Sequence, residues 1–241
     1  MNISVITATY NRKEYLKEAI ESIQKNITTP LSNASFEHII YDDHSTDKTE
    51  TIFENSKWDN LSYVYGKKNK GQSFSKNQAI TKAKGEYIFI LDSDDIALQR
   101  TIYNFLVMTN SHLQTDWFIA DFLRIEENGK YRSGEDYYGW NFNTPNEMLD
   151  AIVKGKHFLQ GNVLFRKALF EKVGGFNENL RMAEDLDLYI RFLLQNSMPK
   201  FANFISHLHR VHPGNISLGE TPEKHTKRIK SIATEYNLLL P

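Results

Sequence analysis

Residues 85–95, Gly-Glu-Tyr-Ile-Phe-Ile-Leu-Asp-Ser-Asp-Asp, constrain the fold more than any other stretch of this chain. A glycine turn leads through an apolar run, Tyr87 to Leu91, into four polar residues, three of them aspartates. The run is too short for a typical helix and predicts a strand buried on both faces. That strand would deliver Asp92, Asp94 and Asp95 at its C-terminal end, where open α/β sheets bind ligands. Carboxylates gathered there repel one another unless a cation or a donor-rich ligand lies between them, and hard oxygen ligands suit Mg2+, Mn2+ or Ca2+. The competing reading is a solvated acidic turn that caps the next helix, since aspartate is a good N-cap.

The rest of the chain alternates in the same way. Strands are expected at 3–7, 36–41 and 61–65, with helices at 13–25, from about 47 to 56, and at 75–84 between and after them. Strands alternating with helices argue for a parallel sheet. Further on, helices are expected at 100–111, 145–154, 167–173 and 183–195, and strands at 117–122 and 201–211. Residues 158–165 form a strand-like run interrupted by Gly161, which signals a close approach or a bulge. Residues 126–143 read as a hairpin or a loop. The polar helix from about 222 is expected to pack on the outside. The resulting fold class is α/β, a mostly parallel central sheet flanked by helices with a C-terminal elaboration.

Composition narrows the function classes. The chain has 241 residues, enough for one large α/β domain with a sizeable core. Its formal net charge is −1, so no bulk basic field exists for nucleic acid. It has no cysteine, which excludes disulfides, thiolate zinc sites and a cysteine nucleophile. No stretch approaches the ~20 apolar residues of a membrane span. The first residues enter a strand with no signal-peptide pattern. The expectation is a cytoplasmic protein. Lys224, Lys227, Arg228 and Lys230 leave open a peripheral contact with the inner face of a membrane, against a solvated helix face.

Two parallel strands end in paired aspartates, Asp42-Asp43 and Asp92-Ser93-Asp94, on one edge of the sheet. One carboxylate can accept from a base or ribose while another holds a divalent metal bridging two phosphates, the need of a nucleotide-diphosphate site.

The chain resembles a family 2 glycosyltransferase of the GT-A fold. The resemblance rests on Val5-Ile-Thr-Ala-Thr-Tyr-Asn11, Tyr41-Asp-Asp-His-Ser-Thr-Asp47, Asn69-Lys-Gly-Gln72, Asn77-Gln-Ala79 and the 85–95 stretch. It continues through Phe165-Arg166, Val173-Gly-Gly-Phe176, Glu184-Asp-Leu-Asp-Leu-Tyr-Ile-Arg191 and Arg210-Val-His-Pro-Gly-Asn-Ile-Ser217. Each motif is weak alone; their order and spacing are specific. His44 departs from the pattern, standing where glycine is commoner. The 126–143 and 156–161 stretches follow no family pattern and leave the acceptor open.

The resemblance implies a metal-dependent, inverting transfer of a sugar from a nucleotide-diphosphate sugar, UDP-linked by preference. The acceptor would be a hydroxyl of a glycan or lipid-linked glycan in polysaccharide or surface-glycan synthesis. It implies that Ala8, Thr9 and Tyr10 line the base pocket and that Asp42 or Asp43 binds base or ribose. Lys70 and Asn77 would contact the nucleotide or its phosphates. Asp92-Ser93-Asp94 would be the DxD motif, with Asp94 on Mn2+ or Mg2+, Asp92 on ribose, sugar or metal, and Asp95 as an alternative ligand. His212 would join the metal or diphosphate. Glu184-Asp185 resembles the family's acidic pair, with Asp185 as general base. Asp187 is expected only in a surface pair with Arg191, four residues on, worth a few tenths of a kcal/mol. In this division residues 1–95 are the nucleotide-sugar-binding half, 96–217 the acceptor and catalytic half, and 218–241 a helical tail. Tyr137, Tyr138 and Trp140 could stack on an acceptor sugar or anchor a hairpin. The rival readings are a nucleotidyltransferase, disfavoured because the loop after the first strand lacks glycine, and a module that binds sugar nucleotide or glycan without turnover.

Overall fold

The computed structural model describes residues 2–31, 34–54, 58–133, 142–157, 159–216 and 219–238. The parallel half of its sheet holds β1 (Ile3–Thr9), β2 (Phe36–Asp42), β3 (Leu61–Tyr65) and β4 (Tyr87–Ile90), hydrogen-bonded in the order β3-β2-β1-β4. All four residues of β4 are buried, as are six of the seven in β1. Both strands are therefore covered on both faces, which is why β4 reads as a continuous apolar run, while β1 also buries Ser4, Thr7 and Thr9. One layer above them is α1 (Lys13–Gln24), which buries Leu16, Ala19, Ile20 and Ile23 as its spacing predicts.

The sheet continues past β4 in mixed sense. It adds β7 (Leu164–Arg166), β6 (Trp117–Glu126), β8 (Lys200–Val211) and β5 (Ile96–Ala97), in that order. β7 runs antiparallel to β4 and β6, while β8 pairs parallel with β6. The expected 158–165 strand shrinks to β7, because Gln160, Gly161 and Asn162 leave the ladder to reach other elements. The short β5 was not expected; its two residues pair with Leu208 and His207.

Helices α2 (Gln72–Lys82), α3 (Thr101–Ser111), α4 (Pro145–Val153), α5 (Lys167–Lys172), α6 (Glu184–Leu194) and α7 (Pro222–Glu235) complete the fold. α4 and α7 begin alike: Thr144 and Thr221 accept from the third residue on, with proline in the first turn. The helix expected over 47–56 is only a 3₁₀ turn at Thr49–Ile52, and 55–57 lie outside the described residues. Asp47 is spent there, accepting from Thr49 and from the N–H of Lys13. The hairpin expected after 126 exists in part, with Glu126 bonded to Lys130 and Arg132 to Arg124. Tyr137, Tyr138 and Trp140 lie outside the described residues.

The tail helix packs on the outside as expected, held by one apolar face. α7 buries Ile229, Ile232 and Ala233 against the main core. Tyr236, just after it, donates its hydroxyl to Asp187 at 2.6 Å. Asp187 is fully buried and also receives Arg191 at 2.5 Å, so the pair is not a surface pair.

Candidate active site

The register of the parallel strands sets where the site lies. Ile6 pairs with both Ile39 and Ile90, and Thr9 with Asp42, so β1, β2 and β4 end at one edge. A cavity of about 900 Å³ opens there. Ala8, Thr9, Tyr10, Asp43, Asp92, Ser93, Asp94, Glu184, Asp185 and His212 all line it. Asp42, Lys70 and Asn77 do not, and each has a physical reason.

The Asp42 carboxylate turns into the fold, accepting from the Ser45 N–H at 2.7 Å and the Tyr63 hydroxyl at 2.8 Å. Lys70 uses its N–H on Asp43, and its ammonium lies 4.1 Å from the centre of the Phe74 ring. Asn77 clamps the turn after α5, donating to Phe176 O and accepting from Phe176 N–H, both at 2.9 Å. Between the two aspartates, Asp43 is therefore the one at the cavity. It accepts from the N–H groups of Lys70 at 2.9 Å and Gly71 at 2.6 Å. Gly71 has φ +97, a left-handed conformation that favours glycine, and a Cβ there would have to displace the end of the Arg181 side chain. His44, the departure from the family pattern, also has positive φ, 73, which explains why glycine suits that position.

The three aspartates after β4 diverge in use. Asp95 is buried as a brace: Asn162 donates to it at 2.5 Å and the Arg210 N–H at 2.9 Å. Burial raises its carboxyl, against the pull of nearby His209. Asp95 does not line the cavity. Asp94 presents one oxygen, Oδ2, to Arg12, to His212 Nε2 at 2.9 Å and to Asn215 at 3.3 Å. Asp92 lies 3.3 Å from the Lys76 ammonium. Burial opposes the Asp92 charge, but Lys76 prevails and holds its carboxyl below the ordinary value.

Opposite them, α6 opens on Glu184 and Asp185. Ala183, just before, sits in the left-handed region at φ 59, an unusual conformation for a residue with a Cβ. It turns the chain so that both acidic side chains meet the cavity. Glu184 receives Lys76 at 3.1 Å and Gln72 at 2.9 Å. Asp185 accepts the Leu186 N–H at Oδ1, 2.8 Å. Burial, then the adjacent Glu184 charge, push Asp185 up to about 7 despite Lys76.

Lys76 is the functional residue that sequence reasoning missed. It is 3 % exposed and joins the ends of β4 and α6. Burial alone would neutralise it, but Asp92, Glu184 and Asp185 keep it charged. A signal existed: Ser73, Lys76 and Ile80 fall on the buried face of α2, and a lysine on such a face needs partners. Arg12 was also missed; besides Asp94 it reaches Gly214 O at 2.5 Å. The tail reaches the cavity as well. His225 of α7 faces His157 across it, Nε2 to Nε2, at 3.5 Å, and burial brings His157 down to about 4. Two buried hydroxyls of the cavity wall, Thr9 and Ser75, have no hydrogen-bond partner among the described residues.

Comparison with known proteins gives this geometry a family. The chain is 27% identical over 235 residues to an uncharacterized glycosyltransferase of Rickettsia bellii, covering 96% of this chain and 32% of the relative. It is 28% identical over 222 residues to the uncharacterized glycosyltransferase MJ1057 of Methanocaldococcus jannaschii, covering 86% and 74%. The chain thus spans about a third of the first relative and about three quarters of the second. Among solved structures, S. aureus TarS 1–349 in complex with UDP-GlcNAc superposes with a TM-score of 0.75 at 23% identity, over 98% of this chain and 66% of that one. That likeness speaks to the fold, which is of the GT-A type. The family model of glycosyl transferase family 2 matches residues 4–174, most of the chain, and the protein belongs to that family.

Proposed function

We propose that this chain is an inverting glycosyltransferase that moves a hexosyl or N-acetylhexosaminyl group from a UDP-sugar to a hydroxyl of a glycan or lipid-linked glycan, in surface-polysaccharide synthesis. The observation that carries the reading is Asp185: a cavity carboxylate on the opening of a rigid helix, raised to about 7, across from the aspartates after β4. A base titrating there takes a proton at neutral pH and is held in place by its helix. UDP is favoured because the solved structure of like fold, TarS, binds UDP-GlcNAc.

In this reading Ala8, Thr9, Tyr10 and Asp43 receive the nucleoside, and the unpartnered hydroxyls of Thr9 and Ser75 gain their missing partners from it. Asp92 and Ser93 face ribose or sugar. The acceptor hydroxyl attacks the anomeric carbon opposite the diphosphate. Its proton passes to Asp185, the new carbon–oxygen bond forms, and the bond to the diphosphate breaks with its electron pair going to phosphate oxygen. Glu184 acts through Lys76, fixing the ammonium beside the reacting groups. Residues 1–95 thus serve the donor and 96–217 the acceptor and the catalytic groups, with α7 meeting the cavity through His225.

For Mn2+ or Mg2+ the fitting ligand is Asp94, which presents an oxygen at the cavity. His212 would be the second, and phosphate oxygens would complete the shell, the usual mode for such ions. The Arg12 guanidinium lies 2.7 Å from His212 Nε2, so ligation through Nε2 requires Arg12 to leave that nitrogen. Arg12 must also leave Asp94. When bound, the ion neutralises charge growing on the leaving diphosphate.

None of the described helices is long and apolar enough to cross a membrane, and contact with a lipid-linked acceptor would fall to the basic face of α7. The test is a thermal-shift panel of UDP, GDP, CDP, TDP and CMP, each with Mn2+ and with chelator. A ligand at about a hundred times its Kd stabilises by about 2.7 kcal/mol. A shift with UDP that requires Mn2+ is expected. No shift with any nucleotide sinks the reading in favour of a module that binds glycan without turnover.

A further inference from the structure

We propose that Gly161 sets the size and identity of the sugar this chain accepts, by keeping open the space between Asp92 and Asp185 in which the pyranose ring of the donor sits. The proposal rests on the UDP-sugar reading above. Gly161 is not one of the glycines with positive φ, so its backbone does not demand glycine. What the position shows is its place in the cavity: a Cβ at 161 would lie 3.3 Å from Asp92 Oδ2, a tight contact, and 3.8 Å from Asp185 Oδ2, an ordinary one, so it would take up space between the two carboxylates. The carboxylates come from different elements, the end of β4 and the start of α6, and converge on this one missing side chain.

The backbone cannot retreat to make room. On one side, Gln160 O accepts the Tyr189 hydroxyl at 2.7 Å, fastening the chain to α6. On the other, Asn162 accepts the Asp92 N–H at 3.0 Å and donates to Asp95 at 2.5 Å, fastening it to the loop after β4. A side chain at 161 is therefore delivered into the cavity. The group that suits the space offers several hydroxyl or amide donors around a compact ring, which the oxygens of Asp92 and of ionised Asp185 can accept from on two sides. A sugar held there also has its anomeric carbon beside the base, as the transfer needs.

The experiment is titration calorimetry of wild type, Gly161→Ala and Gly161→Ser with UDP, UDP-glucose and UDP-N-acetylglucosamine in Mn2+. Heat denaturation in UDP is run alongside. Both variants are expected to bind UDP within twofold of wild type, while the UDP-sugar that wild type prefers weakens at least tenfold. Unchanged affinity for that UDP-sugar overturns the proposal. Equal weakening of UDP and UDP-sugar also overturns it, because the glycine would then support the whole site and not the sugar. Wild type that binds UDP but gains nothing from either sugar removes the sugar subsite while leaving the nucleotide site intact. Wild type that binds none of the three contradicts the UDP-sugar reading itself.

Discussion

The Lys76 ammonium sits 3.1 Å from Glu184 Oε1, two charged groups each about 95 % buried, and this contact ties α2 to the opening of α6. Asp92 is its third member, at 3.3 Å. Removing one partner of a buried ion pair strands the other and costs about 3–5 kcal/mol. Lys76→Met should therefore destabilise the protein by about that amount in urea denaturation. A loss below about 1 kcal/mol would mean that the cluster is solvated and the pair weak.

Asp185 gives a pH signature with a definite sign. Only its deprotonated form can take a proton, so transfer should rise with pH through about 7 and then level off. Because folding raises this carboxyl, the folded state holds the proton more tightly than the unfolded chain. This one group then lowers stability as pH climbs from the ordinary carboxylate value toward 7, by at most about 1.4 kcal/mol per pH unit. Asp185→Asn should abolish transfer and remove that part of the slope. An Asn variant with full transfer rate would show that the base is elsewhere.

Tyr236 reaches back from the tail to a fully buried Asp187. Burial and the Asp187 carboxylate push its phenol up to about 12. A hydrogen bond to a charged group contributes about 1.5–3 kcal/mol, so Tyr236→Phe should cost roughly that and loosen α7. Amide exchange over 222–235 would report it. Exchange equal to wild type would mean that Ile229, Ile232 and Ala233 hold the helix alone.

Arg12 and a cation compete for Asp94 Oδ2. Two unit charges about 4 Å apart in partly solvated surroundings repel by about 1–4 kcal/mol. Arg12→Gln should bind Mn2+ without nucleotide at least about tenfold more tightly, by electron paramagnetic resonance of the free ion. Affinity unchanged or lower would place the metal away from Asp94.

Much of the fold and part of the site were legible in the sequence. The runs at β1, β2 and β4 could only be buried strands, and aspartates after such strands had to share an edge. That brought Asp43, Asp92 and Asp94 to one cavity, which Asp185 enters from the start of α6. Motif position, however, could not tell Asp42 from Asp43 or Asp94 from Asp95. In each pair the neighbours along the chain are alike, and what separates them is which one meets Tyr63, Asn162 or Arg210 from elsewhere in the fold. The place of Asn77 was hidden for the same reason, since its partner Phe176 lies 99 residues away.

What the sequence determined by itself was the local order of the chain: its alternation of strands and helices, its caps and the family motifs. These depend on neighbours a few residues apart, through steric and hydrogen-bonding preferences that operate before any tertiary contact. Only the tertiary structure decided which charges are spent and which face the cavity. Lys76 remains charged because Glu184, 108 residues on, shares its burial, and Gly161 matters because Asp92 and Asp185 converge on it. A buried charge takes its state from whatever surrounds it in three dimensions, and those surroundings exist only once the chain has folded.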